Sequence, residues 1–281
     1  MAAAAVAVGA KAFGGAPGGE PTADGPNAAA YEVCRSGQDG PDVTPPESFE
    51  VVYETSIGSF TVHVNGSWAP AILTQRYYLL ATLGYNAAAR FYRVDYVDTY
   101  SESVGFPPRP PWVVQWGYNG DPALQSCWEA NMTMSCSASP SAGSPGNLRG
   151  TVAFGLSENG TCSTELYINY SDNSRLDAAG FAPIGRVSEE DMQNVVDRLY
   201  PGYGEVSELC ASPPEGNCYI NKTAAKISGD ACDAYCHQAF CVGCGIENQG
   251  VDMDQFMKQG NAYLLREKPK LDFIVQEVLV K

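Results

Sequence analysis

Histidines, cationic residues and long apolar runs are scarce in this 281-residue sequence, and each shortage excludes a class of function. The two histidines, His63 and His237, leave almost no material for a Ser-His-Asp or Cys-His hydrolase. The 17 Lys and Arg against 32 Asp and Glu give a net charge of −15. That balance disfavours a sequence-independent nucleic-acid binder and attraction to an anionic membrane. No apolar run approaches the ~18 residues of a spanning helix, and no phosphate-binding or dinucleotide glycine motif is present.

Cysteines and glycosylation sequons, in contrast, are plentiful. The chain has 10 cysteines, an even number, as a fully disulfide-bonded chain requires. N-x-[ST] sequons occur at Asn65, Asn131, Asn159, Asn169 and Asn221. Together they favour an oxidising compartment, either the secretory pathway and the extracellular space or, alternatively, the thylakoid lumen or another organelle lumen.

A cysteine cluster near the C-terminus has two interpretations. Its densest part is the motif Cys232-x3-Cys236-His237-x3-Cys241-x2-Cys244, which has the donors of a tetrahedral zinc site. Cys210 and Cys218 lie close by, and the sequons indicate an oxidising compartment, so disulfides are favoured over zinc. Spacing alone cannot give the pairing of six cysteines.

The first 47 residues differ in composition from the rest of the chain. They are rich in Ala, Gly and Pro and show no apolar periodicity, so we predict a mostly disordered tail over residues 1–47 with one anchor at Cys34. Residues 10–12 resemble a leader-peptide cleavage site, and a plain disordered leader is the alternative. Ordered structure is expected from residue 48 to 281.

The remaining segments predict a mainly β protein. Helical spacing of apolar residues predicts helices over Ala71–Leu83 and Met192–Tyr200. A Pro-rich loop is expected at about 95–111 and a Cys-rich insertion at about 207–250. Strands are predicted at Phe49–Thr55, Phe60–Val64, Phe91–Val94, Trp112–Gln115, Thr151–Phe154, Glu165–Asn169 and Leu271–Val280. Many strands with two separated helices favour a barrel or a sandwich.

Several short motifs resemble, in the same order, those of cyclophilin-type peptidyl-prolyl cis-trans isomerases. They are RFYRV at Arg90–Val94, WVVQWG at Trp112–Gly117, RGTVAF at Arg149–Phe154, STELYIN at Ser163–Asn169 and FAPIGRV at Phe181–Val187. The resemblance covers roughly residues 48–206 and 251–281. It implies an eight-stranded antiparallel barrel capped by two helices, with residues 207–250 as an insertion into a domain of residues 48–281.

The resemblance also implies a site. Arg93 matches the family's catalytic arginine, and Gln115 matches the glutamine that steadies the substrate carbonyl or the arginine itself. This chemistry requires neither metal nor cofactor. Substrate-binding positions implied by the resemblance are Phe91, Trp112, Val113, Gly155, Leu156, Ser157, Glu165, Tyr167, Leu176 and Phe181.

Departures from the family pattern leave the function open. Glu165 replaces the usual second glutamine, Arg175 stands where a rim tryptophan is common, and the loop after Arg93 is unusually long. The first hypothesis is an isomerase that acts on proline-containing polypeptides and assists folding. The second is a weak or inactive binding module, or a structural subunit that docks to an assembly through the Cys-rich insertion. A zinc-dependent interaction protein is a distant third.

Overall fold

A computed structural model describes residues 27–37, 44–95, 111–204, 206 and 250–280. Within these ranges the chain forms seven α-helices and ten strands. The central part of the predicted Pro-rich loop, residues 96–110, and most of the Cys-rich insertion, residues 207–249, lie outside the described residues.

The helices and strands are numbered in chain order. The helices are α1 (Ala28–Ser36), α2 (Ala71–Leu83), α3 (Pro122–Asn131), α4 (Arg175–Ala178), α5 (Glu189–Asn194), α6 (Met253–Gln259) and α7 (Asn261–Glu267). The strands are β1 (Ser48–Thr55), β2 (Gly58–Asn65), β3 (Arg93–Val94), β4 (Val113–Trp116), β5 (Met134–Ser135), β6 (Thr151–Phe154), β7 (Thr161–Cys162), β8 (Leu166–Asn169), β9 (Gly185–Val187) and β10 (Ile274–Val280).

Eight of these strands form one curled sheet in the order β10-β1-β2-β9-β6-β8-β4-β3. Its neighbouring strands are all antiparallel. The two ends of the sheet meet where the Phe91 N–H donates to the Asp272 carbonyl at 3.0 Å and the Ile274 N–H donates to the Ala89 carbonyl at 2.8 Å. The sheet therefore closes on itself, and the predicted mainly β, eight-stranded antiparallel architecture is confirmed.

The interior of the barrel is aromatic. Tyr53 stacks on Phe60 with ring centroids 5.1 Å apart, and Trp116 lies edge-on to Tyr53 at 5.7 Å. Helix α2 closes one end and buries Leu73, Tyr77 and Leu80 among other residues. Its predicted bounds are those observed: it begins after Pro70 and ends at Gly84, which has the left-handed φ of 61° that suits glycine.

The predicted disordered tail is wrong for residues 28–36, which form helix α1. Cys34 forms a disulfide with Cys127 of α3, so it does anchor this segment. Two hydrogen bonds add to the contact: Tyr31 Oη donates to Asp121 at 2.9 Å, and Trp128 Nε1 donates to the Ala30 carbonyl at 3.1 Å. Helix α1 places its buried residues Ala30, Tyr31, Val33 and Cys34 at helical spacing, which the Ala-, Gly- and Pro-rich composition of residues 1–47 concealed, and docking against α3 stabilises it.

Several helices differ from the predicted pair. Over the predicted helix Met192–Tyr200 the chain instead ends α5 at Asn194 and makes a 3-10 turn at Val196–Arg198. Helix α5 begins three residues earlier than predicted because Ser188 Oγ caps it, accepting from the Asp191 N–H at 3.0 Å. Helices α3, α4, α6 and α7 were not predicted. No helix in the described ranges has both the length and the apolar character to cross a membrane.

Candidate functional site

The site begins at the pairing of β3 with β4, at one edge of the sheet. Arg93 and Gln115 are directly opposite each other in this antiparallel pair, so their side chains share one face. Arg93 Nη1 donates a hydrogen bond to Gln115 Oε1 at 2.6 Å. Each residue is only 8% exposed, so the guanidinium is held largely out of bulk water.

Glu165 is the third polar member of the site. It immediately precedes β8, which pairs with β4 so that Tyr167 lies opposite Gln115. Gln115 Nε2 donates to Glu165 Oε1 at 2.5 Å, and the side-chain amide therefore links the arginine to the carboxyl group. Gly155 makes room for this carboxyl group, because a Cβ at that position would lie 2.7 Å from Glu165 Oε1.

Burial dominates the electrostatics of Glu165. It raises the pKa of this carboxyl group above its usual value, while the Tyr118 hydroxyl and the charge of Arg93 act in the opposite direction. Burial also raises the pKa of Tyr118 and of Tyr92, so both phenols stay protonated at neutral pH. The site thus combines one guanidinium with a carboxyl group whose charge the surroundings weaken.

Trp112 holds the guanidinium from a second direction. The Cζ atom of Arg93 lies 4.5 Å from the Trp112 ring centroid, and that of Arg175 lies 5.2 Å from it. Both are cation–π distances. Arg175, which stands where the family often has a tryptophan, therefore adds a second positive charge beside the indole.

An apolar pocket adjoins the arginine. Val113, Ala153 and Tyr167 are buried there, with Trp112, Leu176 and Phe181 packed against them. The Tyr167 and Phe181 rings meet edge to face, 6.0 Å apart. The Tyr167 hydroxyl donates to Asn147 Oδ1 at 2.7 Å, which fixes this wall.

These groups line one cavity of about 450 Å³. It contains ten of the twelve predicted site residues: Arg93, Trp112, Val113, Gln115, Gly155, Leu156, Glu165, Tyr167, Leu176 and Phe181. The remaining lining residues, which sequence reasoning missed, are Tyr92, Tyr118, Glu129, Val206, Met253 and Met257.

Two predicted substrate-binding residues do not line this cavity. Phe91 is fully buried, and its ring lies 5.9 Å from Trp116 inside the barrel, because the backbone of Phe91 is engaged with Asp272 where the sheet closes. Ser157 lies in an exposed turn, where its hydroxyl is 2.7 Å from that of Thr161. Phe91 is a core residue and Ser157 a turn residue.

Three of the six missed residues come from two helices that pack together. Glu129 lies on α3, Met253 and Met257 lie on α6, and these two helices are in contact. One local signal could have predicted the start of α3: the pair Asp121-Pro122, in which Asp121 caps the helix and its Oδ1 accepts from the Ala123 N–H at 3.0 Å.

The described residues contain no group of three His, Cys, Asp or Glu side chains arranged to hold a metal ion. The motif Cys232–Cys244, to which the sequence assigns zinc or disulfides, lies outside those residues. Four other cysteines are paired, as Cys34–Cys127 and Cys136–Cys162, and these two disulfides indicate an oxidising compartment.

Comparison with solved structures returns cyclophilins. The protein is similar to a cyclophilin-type peptidyl-prolyl cis-trans isomerase from Cryptosporidium parvum, with 13% identity, a TM-score of 0.38, and coverage of 54% of this chain and 86% of that one. The same isomerase in the presence of the dipeptide Ala-Pro gives the same values. A cyclophilin from Hirschia baltica matches with 12% identity, a TM-score of 0.34, and coverage of 55% and 71%.

No family model matches the chain, and no curated protein matches it. The solved structures belong to the family that the sequence motifs resemble.

Proposed function

We propose that the protein is a peptidyl-prolyl cis-trans isomerase and that Arg93 polarises the X–Pro amide. The observation that supports this most directly is the placement of Arg93: a largely buried guanidinium, fixed by Gln115 and Trp112, beside an apolar pocket. A guanidinium in such a position is oriented before any substrate arrives, which is what electrostatic catalysis requires.

The reaction needs no proton transfer or nucleophile. An X–Pro bond prefers trans only slightly but isomerises over tens to hundreds of seconds, because its C–N bond has partial double-bond character. As the bond twists, the prolyl nitrogen becomes pyramidal and gains a lone pair. A hydrogen bond from Arg93 to that lone pair forms only in the twisted state, so it lowers the barrier without stabilising the planar amide.

The remaining groups position the substrate. The proline ring fits the apolar pocket of Val113, Tyr167, Leu176 and Phe181. The substrate carbonyl then lies toward the side-chain amide of Gln115. That amide already donates to Glu165, so Gln115 shares its hydrogen-bonding capacity between Glu165 and the substrate.

The bond between Gln115 and Glu165 also favours the second candidate, a weak or inactive module that binds proline-containing polypeptides. The substrate must displace the hydrogen bond between Gln115 and Glu165. If losing that bond costs more free energy than the site gains by stabilising the twisted amide, the cavity binds proline without accelerating its isomerisation. Docking to an assembly through the Cys-rich insertion remains part of this second candidate.

For the compartment, we propose the secretory pathway or the extracellular space, with the lumen of the thylakoid or another organelle as the alternative. The two disulfides and the exposed sequon residues Asn131 and Asn159 support it. Folding of newly secreted, proline-containing chains is the role that suits such a location.

The test is cis-to-trans isomerisation of a short X–Pro peptide by the wild-type chain and by Arg93→Ala. We expect clear acceleration by the wild type and a loss of 10²-fold or more in Arg93→Ala, since one preorganised donor contributes roughly that much. Arg198→Ala is the matched control, because Arg198 is exposed and its side chain bonds only the nearby Asn194 carbonyl in the described part of the chain.

Thermal unfolding separates catalysis from folding. Arg93→Ala should unfold within a few degrees of the wild type. A folded wild type that binds the peptide without accelerating isomerisation would favour the binding module, and equal losses of activity and stability would make Arg93 structural.

A further inference from the structure

We infer that the end of the cavity opposite the apolar pocket is a subsite for a lysine or arginine side chain on the N-terminal side of the substrate proline, with Glu129 as its specificity-determining residue. This inference rests on the proposed function, because the subsite is part of the same cavity. It adds a substrate class: cationic residues close before proline.

The cavity runs between two separate apolar clusters. One is the pocket of Val113, Ala153 and Tyr167 described above. The other contains Tyr92, Phe256 and Leu264, with Tyr118, Met253 and Val206 packed against it. Residues of both clusters line the cavity, and Arg93 follows Tyr92 of the second cluster while it stacks on Trp112 of the first. Arg93 therefore lies at the boundary between the two ends.

The positions of the proline ring and the prolyl nitrogen fix the direction in which the substrate chain runs. With the ring in the apolar pocket and Arg93 at the prolyl nitrogen, the residue before proline lies on the other side of that nitrogen. The chain N-terminal to proline therefore runs toward Tyr118, Glu129 and Met257. One or two residues of extended chain, at about 3.3 Å each, bring a long side chain into this end.

Glu129 supplies the charge. It is half-buried on α3, and its Oε1 accepts a hydrogen bond from Gln125 Nε2 at 2.8 Å. Burial raises its pKa, and hydrogen bonds from Gln125 and Ser163 oppose this. In the described parts of the chain no lysine or arginine forms an ion pair with it. A cation from a substrate would be its first charged partner among these residues.

The other charged groups of the cavity are already engaged with each other. Gln115 bridges Arg93 and Glu165, so the positive charge of the first is offset by the second. Arg76, which donates to the Ser163 carbonyl near Glu129, is buried and also donates to the Met132 carbonyl. Neither arginine forms an ion pair with Glu129 among the residues that the structure describes.

The walls beside Glu129 suit the stem of a long cationic side chain. Met253 and Met257 offer flexible, polarisable thioethers, and Tyr118 offers an aromatic face. Lysine and arginine place an aliphatic stem on apolar surface while the charged head reaches a polar partner. A shorter side chain does not reach both the apolar walls and Glu129, and an acidic side chain is repelled by Glu129.

The test uses peptides that differ only in the two residues before proline: alanine at both, or lysine or glutamate substituted at each in turn. Exchange spectroscopy by NMR gives the isomerisation rate, and titration gives the dissociation constant, for each peptide. We expect a preference of about tenfold for lysine over glutamate at one of the two positions in the wild type. In Glu129→Gln the preference should fall below about threefold, and Glu129→Lys should reverse it.

Glu190→Gln is the matched control, because it removes one exposed carboxylate that no described residue bonds through its side chain, and it should keep the tenfold preference. The alanine peptide tests the proposed function by itself: binding with a lysine preference but without acceleration would defeat the isomerase and keep the subsite. Equal affinity for the lysine and glutamate peptides, persistence of the preference in Glu129→Gln, or no binding of any peptide would overturn the subsite.

Discussion

Gln115 Nε2 donates a hydrogen bond to Glu165 Oε1 at 2.5 Å, so only the side chain of Gln115 lies between this carboxyl group and Arg93. No direct ion pair joins Arg93 to Glu165 in the parts of the chain that the structure describes. Glu165 therefore orients Gln115, and it acts on Arg93 only through its field. A carboxylate in this position weakens the positive potential that the proposed reaction uses.

Glu165→Gln should raise the rate of isomerisation roughly three- to tenfold, because it removes a negative charge close to Arg93. In the wild type, protonation of Glu165 does the same, so activity should rise as the pH falls through the raised pKa of this carboxyl group. The variant should lack that rise. Rates from pH 5 to 8 check both, and a slower Glu165→Gln enzyme would show that the carboxylate helps catalysis.

Gly155→Ala should lower activity several-fold with little change in melting temperature. Its Cβ would lie 2.7 Å from Glu165 Oε1 and 2.8 Å from Glu165 Cδ, the movable end of a side chain, so the carboxyl group shifts and takes Gln115 with it. Gly155→Ala and Glu165→Ala both act on the contact between residue 155 and the Glu165 carboxyl group, so their effects on activity should not be additive. If Gly155→Ala costs as much in a Glu165→Ala background as in the wild type, the clash is not the cause.

Glu277 should make stability depend on pH. Its carboxylate accepts from the Asn86 N–H at 2.8 Å and from Asn86 Nδ2 at 2.9 Å, and burial raises its pKa to about 7. Between its unfolded pKa of 4.5 and about 7, the unfolded chain releases this proton while the folded protein keeps it. The free energy of unfolding therefore falls with rising pH in this window and levels off above it.

The matching variant is Glu277→Gln, which cannot titrate. Its stability relative to the wild type should rise by roughly 2–3 kcal/mol from pH 5 to pH 8. Urea unfolding of both proteins across that range measures this difference in stability. Groups other than Glu277 titrate alike in both proteins, so their contributions cancel. A constant difference would contradict the raised pKa.

The two disulfides should differ in their effect on stability. Cys34–Cys127 spans 93 residues and Cys136–Cys162 spans 26, so loop-closure entropy favours the longer loop by roughly 1 kcal/mol. Paired serine substitutions at each disulfide, compared by urea unfolding, test this. A smaller loss for Cys34 and Cys127 would mean that α1 detaches before the barrel unfolds.

Expression in a secretory host should give glycans at Asn131 and Asn159 but none at Asn169. The first two are exposed, whereas Asn169 is 0% exposed and its Nδ2 donates to Asn147 Oδ1 at 3.1 Å and to Thr151 Oγ1 at 3.0 Å. Mass spectrometry of glycopeptides locates the occupied sites. Occupancy at Asn169 would require an unfolded chain, and no glycan at any sequon would weaken the case for the secretory pathway.

Local signals predicted the barrel better than its surroundings. Helix α2 was predictable to the residue because Pro70 and Gly84 bracket an apolar repeat. Strands β6 and β8 follow from β-rich runs bounded by turns. Helix α1 does have buried residues at helical spacing, but the Ala-, Gly- and Pro-rich composition around it predicted disorder, whereas α6 buries only Phe256 and has no periodic signal.

The same division holds within the site. Arg93 and Gln115 lie in motifs that could be matched to a family, and the pairing of β3 with β4 brings them together. Phe91 lies in the same motif but points into the core, because β3 begins only at Arg93 and strand alternation does not apply before it. Glu129 and Met257 reach the cavity through the contact of α3 with α6, which is invisible without the tertiary structure.

The bond between Cys34 and Cys127 also makes a covalent ring of the first half of the domain. Arg93, Trp112 and Gln115 belong to the ring, whereas Glu165 and Tyr167 lie beyond it. A protease that cuts any single peptide bond between the two cysteines therefore separates no fragment from the molecule. After such a single cut, Arg93 stays covalently joined to Glu165 and Tyr167 until the disulfide is reduced.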